Sequence, residues 1–365
     1  MVGRMRKAIG SYSTSLFLCF LLGYQAISEV SAQETSQTEI ESEATQEPPS
    51  ASETSSLSDE QPQDGTPLMQ ATDWLSRLAK QVNLLSFESV FVVTSSGKDA
   101  MPYVWRRATI NDGHRIEQLS LLNGPGFEQI AHLGKVSVFE PGFPAYSVKG
   151  KHVQSPIPDG FIYNPEAISD GYDAIVMGRN RIAGRMAQQI RVVSKDKTRF
   201  GYHLWMDEES GLLLKLNTYN LEGKLIEQLQ VTQLNISNDL DQLFANFNPD
   251  QMPENQLPFS HEQTDLAWDI SFLPVGMDIL KKSLHRIQRT GQLAEYMLLS
   301  DGVVDVSVYL IEANPAFNQK SSWHSGQNAV VARSDGTVQV TVLGKIPEKT
   351  ANLIADSIIA VEETQ

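Results

Sequence analysis

The feature that most constrains this chain is a run of short segments whose apolar side chains fall at every second position. Five of them, at 87–94, 103–110, 114–122, 127–133 and 136–139, have the period of strands that bury one face. Their joins include Asn111-Asp112-Gly113, Asn123-Gly124-Pro125-Gly126 and Leu133-Gly134-Lys135, where glycine accepts the positive φ of a tight hairpin. After a Pro- and Gly-rich excursion at 141–165, further strands are predicted at 185–193, 199–207, 212–220 and 226–235. Lys195-Asp196-Lys197, Glu208-Glu209-Ser210-Gly211 and Leu221-Glu222-Gly223 join them, and joins that short pair neighbours antiparallel. One helix comes first, because Leu68, Ala71, Leu75, Leu78 and Val82 recur at three- and four-residue steps and so share a face. The predicted class is mostly β within α+β. It is a curved antiparallel half-barrel with helical structure on its inner face, enclosing an apolar groove.

The alternation fails at 238–260, which holds Asn, Asp, Gln and three prolines and reads as an interdomain linker. Beyond it, strands are predicted at 279–287, 293–300, 303–312, 328–333 and 337–343, with Asp301-Gly302 and Asp335-Gly336 turning hairpins. A closing helix is predicted at 347–359, with Ala351, Ile354, Ala355 and Ile358 on one face. These form a smaller antiparallel β/α domain.

At the start of the chain, Arg4, Arg6 and Lys7 precede the apolar stretch Leu16 to Leu22, followed by Val30-Ser31-Ala32. This is the pattern of a secretory signal peptide cleaved after Ala32, and no apolar run reaches the roughly 20 residues of a membrane-spanning helix. Cys19 is the only cysteine and lies within that leader, so the mature chain is expected to use neither disulfides nor thiol chemistry. The formal charge of −15 becomes about −17 when the leader's three cations and Glu29 are removed, which makes nucleic acid a poor partner. Nine of the acidic residues lie between Gln33 and Pro67 with no Lys or Arg among them, the composition of a disordered acidic segment. The expected division is therefore 1–32 leader, 33–67 acidic linker, 68–237 half-barrel, 238–260 interdomain linker and 261–365 C-terminal partner-binding domain.

Several blocks together resemble the RseB/MucB family of sigma-factor regulatory proteins. They are Arg181-Ile182-Ala183-Gly184-Arg185, Ile190 to Val193, Asp196, Thr198-Arg199-Phe200-Gly201-Tyr202, Trp205-Met206-Asp207 and Ser210-Gly211-Leu212. Gly124-Pro125, Phe139-Glu140-Pro141-Gly142, Tyr172-Asp173, Trp268 and Leu273-Pro274-Val275-Gly276 agree in order. The acidic segment before Leu68 departs from the family core. The resemblance implies an N-terminal domain similar to the LolA/LolB-type lipoprotein carriers, with a smaller domain appended. It implies a periplasmic negative regulator of a sigma-E type stress response. Such a protein binds the periplasmic segment of a single-pass anti-sigma factor of the RseA/MucA kind, shields it from the first proteolytic cut, and is released by lipid or lipopolysaccharide. The alternative is a periplasmic lipid or lipoprotein carrier using the same groove, against which the added domain argues.

No catalytic residues, metal ligands or cofactor are expected. The histidines His114, His132, His152, His203, His261, His285 and His324 are scattered, none at the close spacing of ligands on one element. Phe91, Trp105, Phe139, Tyr202, Leu204 and Met206 are candidate groove-lining residues. Tyr202, Leu204 and Met206 alternate onto one face, which suits a ligand wall and an ordinary core equally. Arg185 and Arg191, in a set with Arg179, Arg181 and Arg199, are candidates for holding an anionic group through paired hydrogen bonds. The competing reading is local ion pairing with Asp173, Asp196 or Asp207. Residues 268–276, with Tyr309 and Trp323, offer a partner-binding surface rich in aromatics, and a homodimer is compatible with the sequence.

Overall fold

The computed structural model describes residues 69–110, 113–254, 265–286, 292–313 and 320–361. The leader expected at 1–32 and the acidic segment expected at 33–67 lie outside these residues.

The predicted first helix is α1 (Ala71–Leu84), and its buried stripe is Ala71, Trp74, Leu75, Leu78, Ala79 and Val82. Its first turn is closed by the Asp73 carboxylate, which accepts the Gln70 N–H at 2.8 Å. Arg115 donates to the carbonyls of Leu84 and Leu85 at the other end, where a cation favours the helix dipole. Leu75, Leu78 and Val82 are essentially inaccessible, and each such side chain contributes about 1.5–3 kcal/mol by leaving water.

Eleven strands form one antiparallel sheet. They are β1 (Phe87–Ser95), β2 (Met101–Thr109), β3 (Arg115–Leu121), β4 (Glu128–His132), β5 (Lys135–Phe139), β6 (Tyr146–Lys149), β7 (Tyr172–Ile182), β8 (Arg185–Ser194), β9 (Gly201–Asp207), β10 (Leu213–Tyr219) and β11 (Leu225–Ile236). Their order is β6-β5-β4-β3-β2-β1-β11-β10-β9-β8-β7. Two meanders are thus joined by one long-range pairing, Phe87 opposite Ile236 through Ser95 opposite Glu227. Between the meanders, α2 (Asp159–Ile162) and α3 (Ile168–Gly171) bring Phe161, Ile162 and Ile168 into the same hydrophobic cluster as α1.

Two of these strands depart from the sequence expectation. β6 lies inside the Pro- and Gly-rich excursion, where four residues are too few for alternation to register. β7 lies where no strand is predicted, yet it pairs with β8 on both sides of a bulge. It is an edge strand exposed on both faces, so no face is selected for apolar residues, and a bulge between Val176 and Arg179 breaks the period of two.

The second sheet contains β13 (Asp278–Arg286), β14 (Leu293–Ser300), β15 (Asp305–Glu312), β16 (Ser321–Ser325), β17 (Asn328–Ser334) and β18 (Val338–Gly344), in the order β13-β14-β15-β18-β17-β16. The helix expected at 347–359 is α4 (Glu348–Asp356), with Ala351, Ile354 and Ala355 buried. It stops before Ile358 because β19 (Ile358–Ala360) pairs with β12 (Trp268–Ile270). The stretch expected as a linker from 238 packs back onto the first sheet as far as Glu254. Leu240 and Phe244 bury against Ala108 and Ile116, and Ser147 bonds to the carbonyls of Pro253 and Glu254.

Candidate functional site

Two features stand out: a concave face filled by the chain's own helices, and a buried ion cluster that ties the two sheets together.

On the concave face, Phe91, Trp105, Tyr202, Leu204 and Met206 are all less than a twentieth exposed and belong to one cluster with α1. Phe161 of α2 meets Tyr202 edge-on at 5.3 Å, and Phe87 meets Trp105 at 4.9 Å, distances at which aromatic pairs add to burial. Phe139 is half-buried opposite Glu128. Five of the six candidate groove residues therefore sit in closed core rather than on an open wall, with Trp74, Leu75, Leu78, Phe161 and Ile162 over the sheet. Hollows of about 260 and 120 Å³ lie elsewhere, by Ser95 and Leu225 and by Ile130 and Pro249. Trp105 has a polar task as well. Its indole donates to Glu117 at 2.7 Å, the Tyr163 hydroxyl donates to the same carboxylate at 3.0 Å, and His152 lies 3.4 Å from its other oxygen. Burial opposes ionisation of Glu117, but His152, Arg107 and Trp105 outweigh it and hold its pKa below the usual glutamate range.

The ion cluster centres on Arg199, whose side chain is fully buried. Its guanidinium donates to the carbonyls of Gly171 at 3.0 Å and Val275 at 2.6 Å, and faces Asp301 at 3.2 Å and Asp196 at 3.5 Å. The ring of Tyr172 lies 5.0 Å away, close enough for a cation–π contact, and its hydroxyl donates to Asp301 at 2.9 Å. Asp301 also accepts the N–H groups of Val303 and Val304, which is the turn read from Asp301-Gly302. Burial pushes its carboxyl up, and Val304, Arg199, Tyr172 and Val303 reverse only part of that. Burial acts against Asp196 too. There the bonds from Ser194, Thr198 and Val275, with the charge of Arg199, prevail and hold its pKa at about 2.

The backbones around this cluster touch with no room for side chains. A Cβ on Gly160 would lie 2.5 Å from the Gly302 carbonyl oxygen, and one on Gly276 would lie 2.6 Å from the Gly171 nitrogen. Gly276 also has φ +79°, a conformation that L side chains rarely adopt. Thr350 donates to the Thr198 carbonyl and Gln327 to Thr218 and Glu227, so α4 and the second sheet join the same seam.

The arginines divide by environment. Arg185 pairs with Asp207 and Glu209, each at 2.9 Å, and Arg179 with Glu208 at 2.8 Å. Arg199 takes Asp196 and, from the second sheet, Asp301; local pairing thus accounts for Arg185, Arg179 and part of Arg199. Arg191 is exposed between Ile175 and His203 and has no carboxylate partner among the described residues.

Residues 70–256 match the family profile of the MucB/RseB N-terminal domain, and residues 262–359 match that of the MucB/RseB C-terminal domain. The chain belongs to the MucB/RseB family. A MucB/RseB relative, the sigma-E factor regulatory protein RseB of Escherichia coli K12, is 28% identical over 294 residues, which are 79% of this chain and 91% of that protein. The sigma factor AlgU regulatory protein MucB of Pseudomonas aeruginosa is 29% identical over 294 residues, 79% of this chain and 90% of that protein. A crystal structure of MucB in complex with MucA(peri) superposes with a TM-score of 0.63 at 27% identity, over 80% of this chain and 99% of that one.

In this MucB/RseB chain the sequence signature around Thr198-Arg199-Phe200 is thus the joint between the sheets. Sequence reading placed Arg199 among possible anion binders and Asp301 in a turn, and missed that they meet. The available signal was an arginine beside the apolar Phe200 at the start of a strand, a position that burial makes costly without a dedicated acid.

Proposed function

We propose that this chain is a periplasmic negative regulator of an extracytoplasmic stress response. In this reading it binds the periplasmic segment of a membrane-bound anti-sigma factor, shields that segment from its first cleavage, and lets go when lipid or lipopolysaccharide binds. The observation that carries the reading is the match of both MucB/RseB domains in order, together with a relative crystallised with MucA(peri). Export follows from the leader pattern, with cleavage after Ala32, and no described helix is long and apolar enough to cross a membrane. The half-barrel of 68–237 and the partner-binding region of 261–365 are the working units of this proposal.

The filled concave face gives the lipid step a physical form. Acyl chains gain a site only by displacing α1 and α2 from Phe91, Tyr202, Leu204 and Met206. A ligand then shifts the complex by its differential affinity for the open and closed forms. Arg191, and Arg185 on exchanging Asp207 and Glu209 for the ligand, remain the proposed contacts for an anionic headgroup. The carrier reading is disfavoured because Arg199 and the glycine contacts bind the second sheet to the first.

The test is cleavage of the purified anti-sigma periplasmic segment by its first protease, with and without the mature chain. Slowed cleavage, relieved by lipopolysaccharide, is expected; unchanged cleavage at saturating protein refutes the regulator. Charge reversal at Arg185 and Arg191 that leaves lipid release unaltered removes them from the headgroup site.

A further inference from the structure

The two edges of the eleven-stranded sheet are treated differently. At one edge β6 is only four residues long, and the Ser147 N–H and hydroxyl are capped by the carbonyls of Glu254 and Pro253. At the other, β7 runs for eleven residues with β8 as its only strand partner among the described residues. Long open edges recruit further strands, and proteins ordinarily blunt them. β7 instead displays three consecutive exposed apolar residues, Ile175, Val176 and Met177, at 46%, 39% and 40%.

Charge adds direction to this edge. In a chain of net charge −15, the 172–194 hairpin holds four arginines and one aspartate. Arg179 and Arg181 pair with Gln188 and Met186 respectively, so they are two residues apart on one face of β7. Arg179 is 62% exposed even while bridging Glu208. Among the described residues, Arg181 donates to the Gly184 carbonyl of its own turn alone.

From this geometry we infer that β7 is a strand-addition site for an extended acidic segment of the anti-sigma factor's periplasmic region. Backbone hydrogen bonds along an edge supply affinity in such pairings, while alternate side chains supply specificity. The fitting segment carries acidic residues at positions i and i+2 opposite Arg179 and Arg181, with apolar residues toward the Ile175 to Met177 end. A second copy of this chain fits less well, because it brings another arginine-bearing β7 to the edge. The inference rests on the regulator reading and adds a half-barrel contact to the partner-binding region of 261–365.

The test measures binding of the purified anti-sigma periplasmic segment to the full mature chain by fluorescence anisotropy. The variants are Arg179→Glu with Arg181→Glu, and separately Val176→Lys. All three positions are exposed, and far-UV circular dichroism with urea unfolding verifies that each variant folds. At least a tenfold loss of affinity is expected from each, with the arginine variant's loss shrinking as salt is raised. Unchanged affinity in both variants overturns the β7 assignment while leaving the regulator reading in place. No binding by the unaltered chain refutes the regulator reading itself. Two further results would assign the edge to another occupant and overturn the inference. One is a dimer that Val176→Lys dissociates. The other is an affinity gain on deleting residues 33–67 that disappears in the arginine variant.

Discussion

Replacing Arg199 by methionine keeps an unbranched apolar stem in the seam and removes only the guanidinium. Asp301 then retains the Tyr172 hydroxyl and two backbone N–H groups but loses the cation 3.2 Å away. Stripping one partner from a buried ion pair costs about 3–5 kcal/mol. The carbonyls of Gly171 and Val275 lose their donor as well, and each buried unpaired acceptor costs on the order of 1–3 kcal/mol. A loss of at least about 5 kcal/mol, the lower end of an ordinary domain's stability, is therefore expected. Urea unfolding of the mature chain measures it, and hydrogen exchange at 201–207 and 293–300 reports the two sheets separately. Adding Asp301→Asn relieves the stranded charge while keeping a side-chain acceptor for the Val303 and Val304 N–H groups. The double variant is then expected to be more stable than the summed single effects imply by about 2 kcal/mol. Additive losses, or an Arg199→Met cost below about 1 kcal/mol, would refute the view that this ion pair holds the sheets together.

Gly276→Ala places a Cβ against Gly171 and forces a strained φ, so a loss of roughly 2–4 kcal/mol is expected by urea unfolding, whereas Gly336→Ala, with open space around it, bears only the backbone strain and costs less. On acidification, His285 and Asp196 act in sequence. Burial and Lys281 depress the His285 pKa to about 4, so its contribution is complete above about 6.5 and is lost as pH falls through 4. Asp196, held at about 2, contributes above about 3.9 and is lost as pH falls through 2; thermal melts of His285→Gln lacking the first decline alone would bear this out. Leu78→Ala, at a site with no exposure, is expected to cost about 2–5 kcal/mol and to lower the lipopolysaccharide concentration needed for partner release, because it loosens α1. Lipopolysaccharide is also expected to speed hydrogen exchange across 71–84, and unchanged α1 protection at saturating lipid refutes displacement of that helix.

Most of the hairpins were legible from local chemistry. The turns at Leu133-Gly134 and Asp301-Gly302, and the apolar stripe of α1, follow from residues only a few positions apart. β7 escaped because an exposed, bulged edge strand carries no burial pattern to read. Its turn, Ala183-Gly184, has positive φ at both residues but lacks the asparagine or aspartate that marks such turns. For the candidate site the limit was different. The alternation of Tyr202, Leu204 and Met206 correctly defines one face, but it is the same whether that face meets a ligand or Phe161.

By itself the amino-acid order determined most of the strands and the two longer helices, which of their faces turn inward, and which family the signature blocks belong to. These depend on periods of two and 3.6 residues and on turn stereochemistry, all of which act over short stretches of chain. Only the tertiary structure decided that β1 closes on β11, that the helices expected on the inner face pack closed over Tyr202, Leu204 and Met206 where a groove was expected, and that Arg199 finds Asp301 beside the second sheet. Such partners lie about a hundred residues apart or more, and their meeting depends on how completed surfaces fit, for which no local period exists.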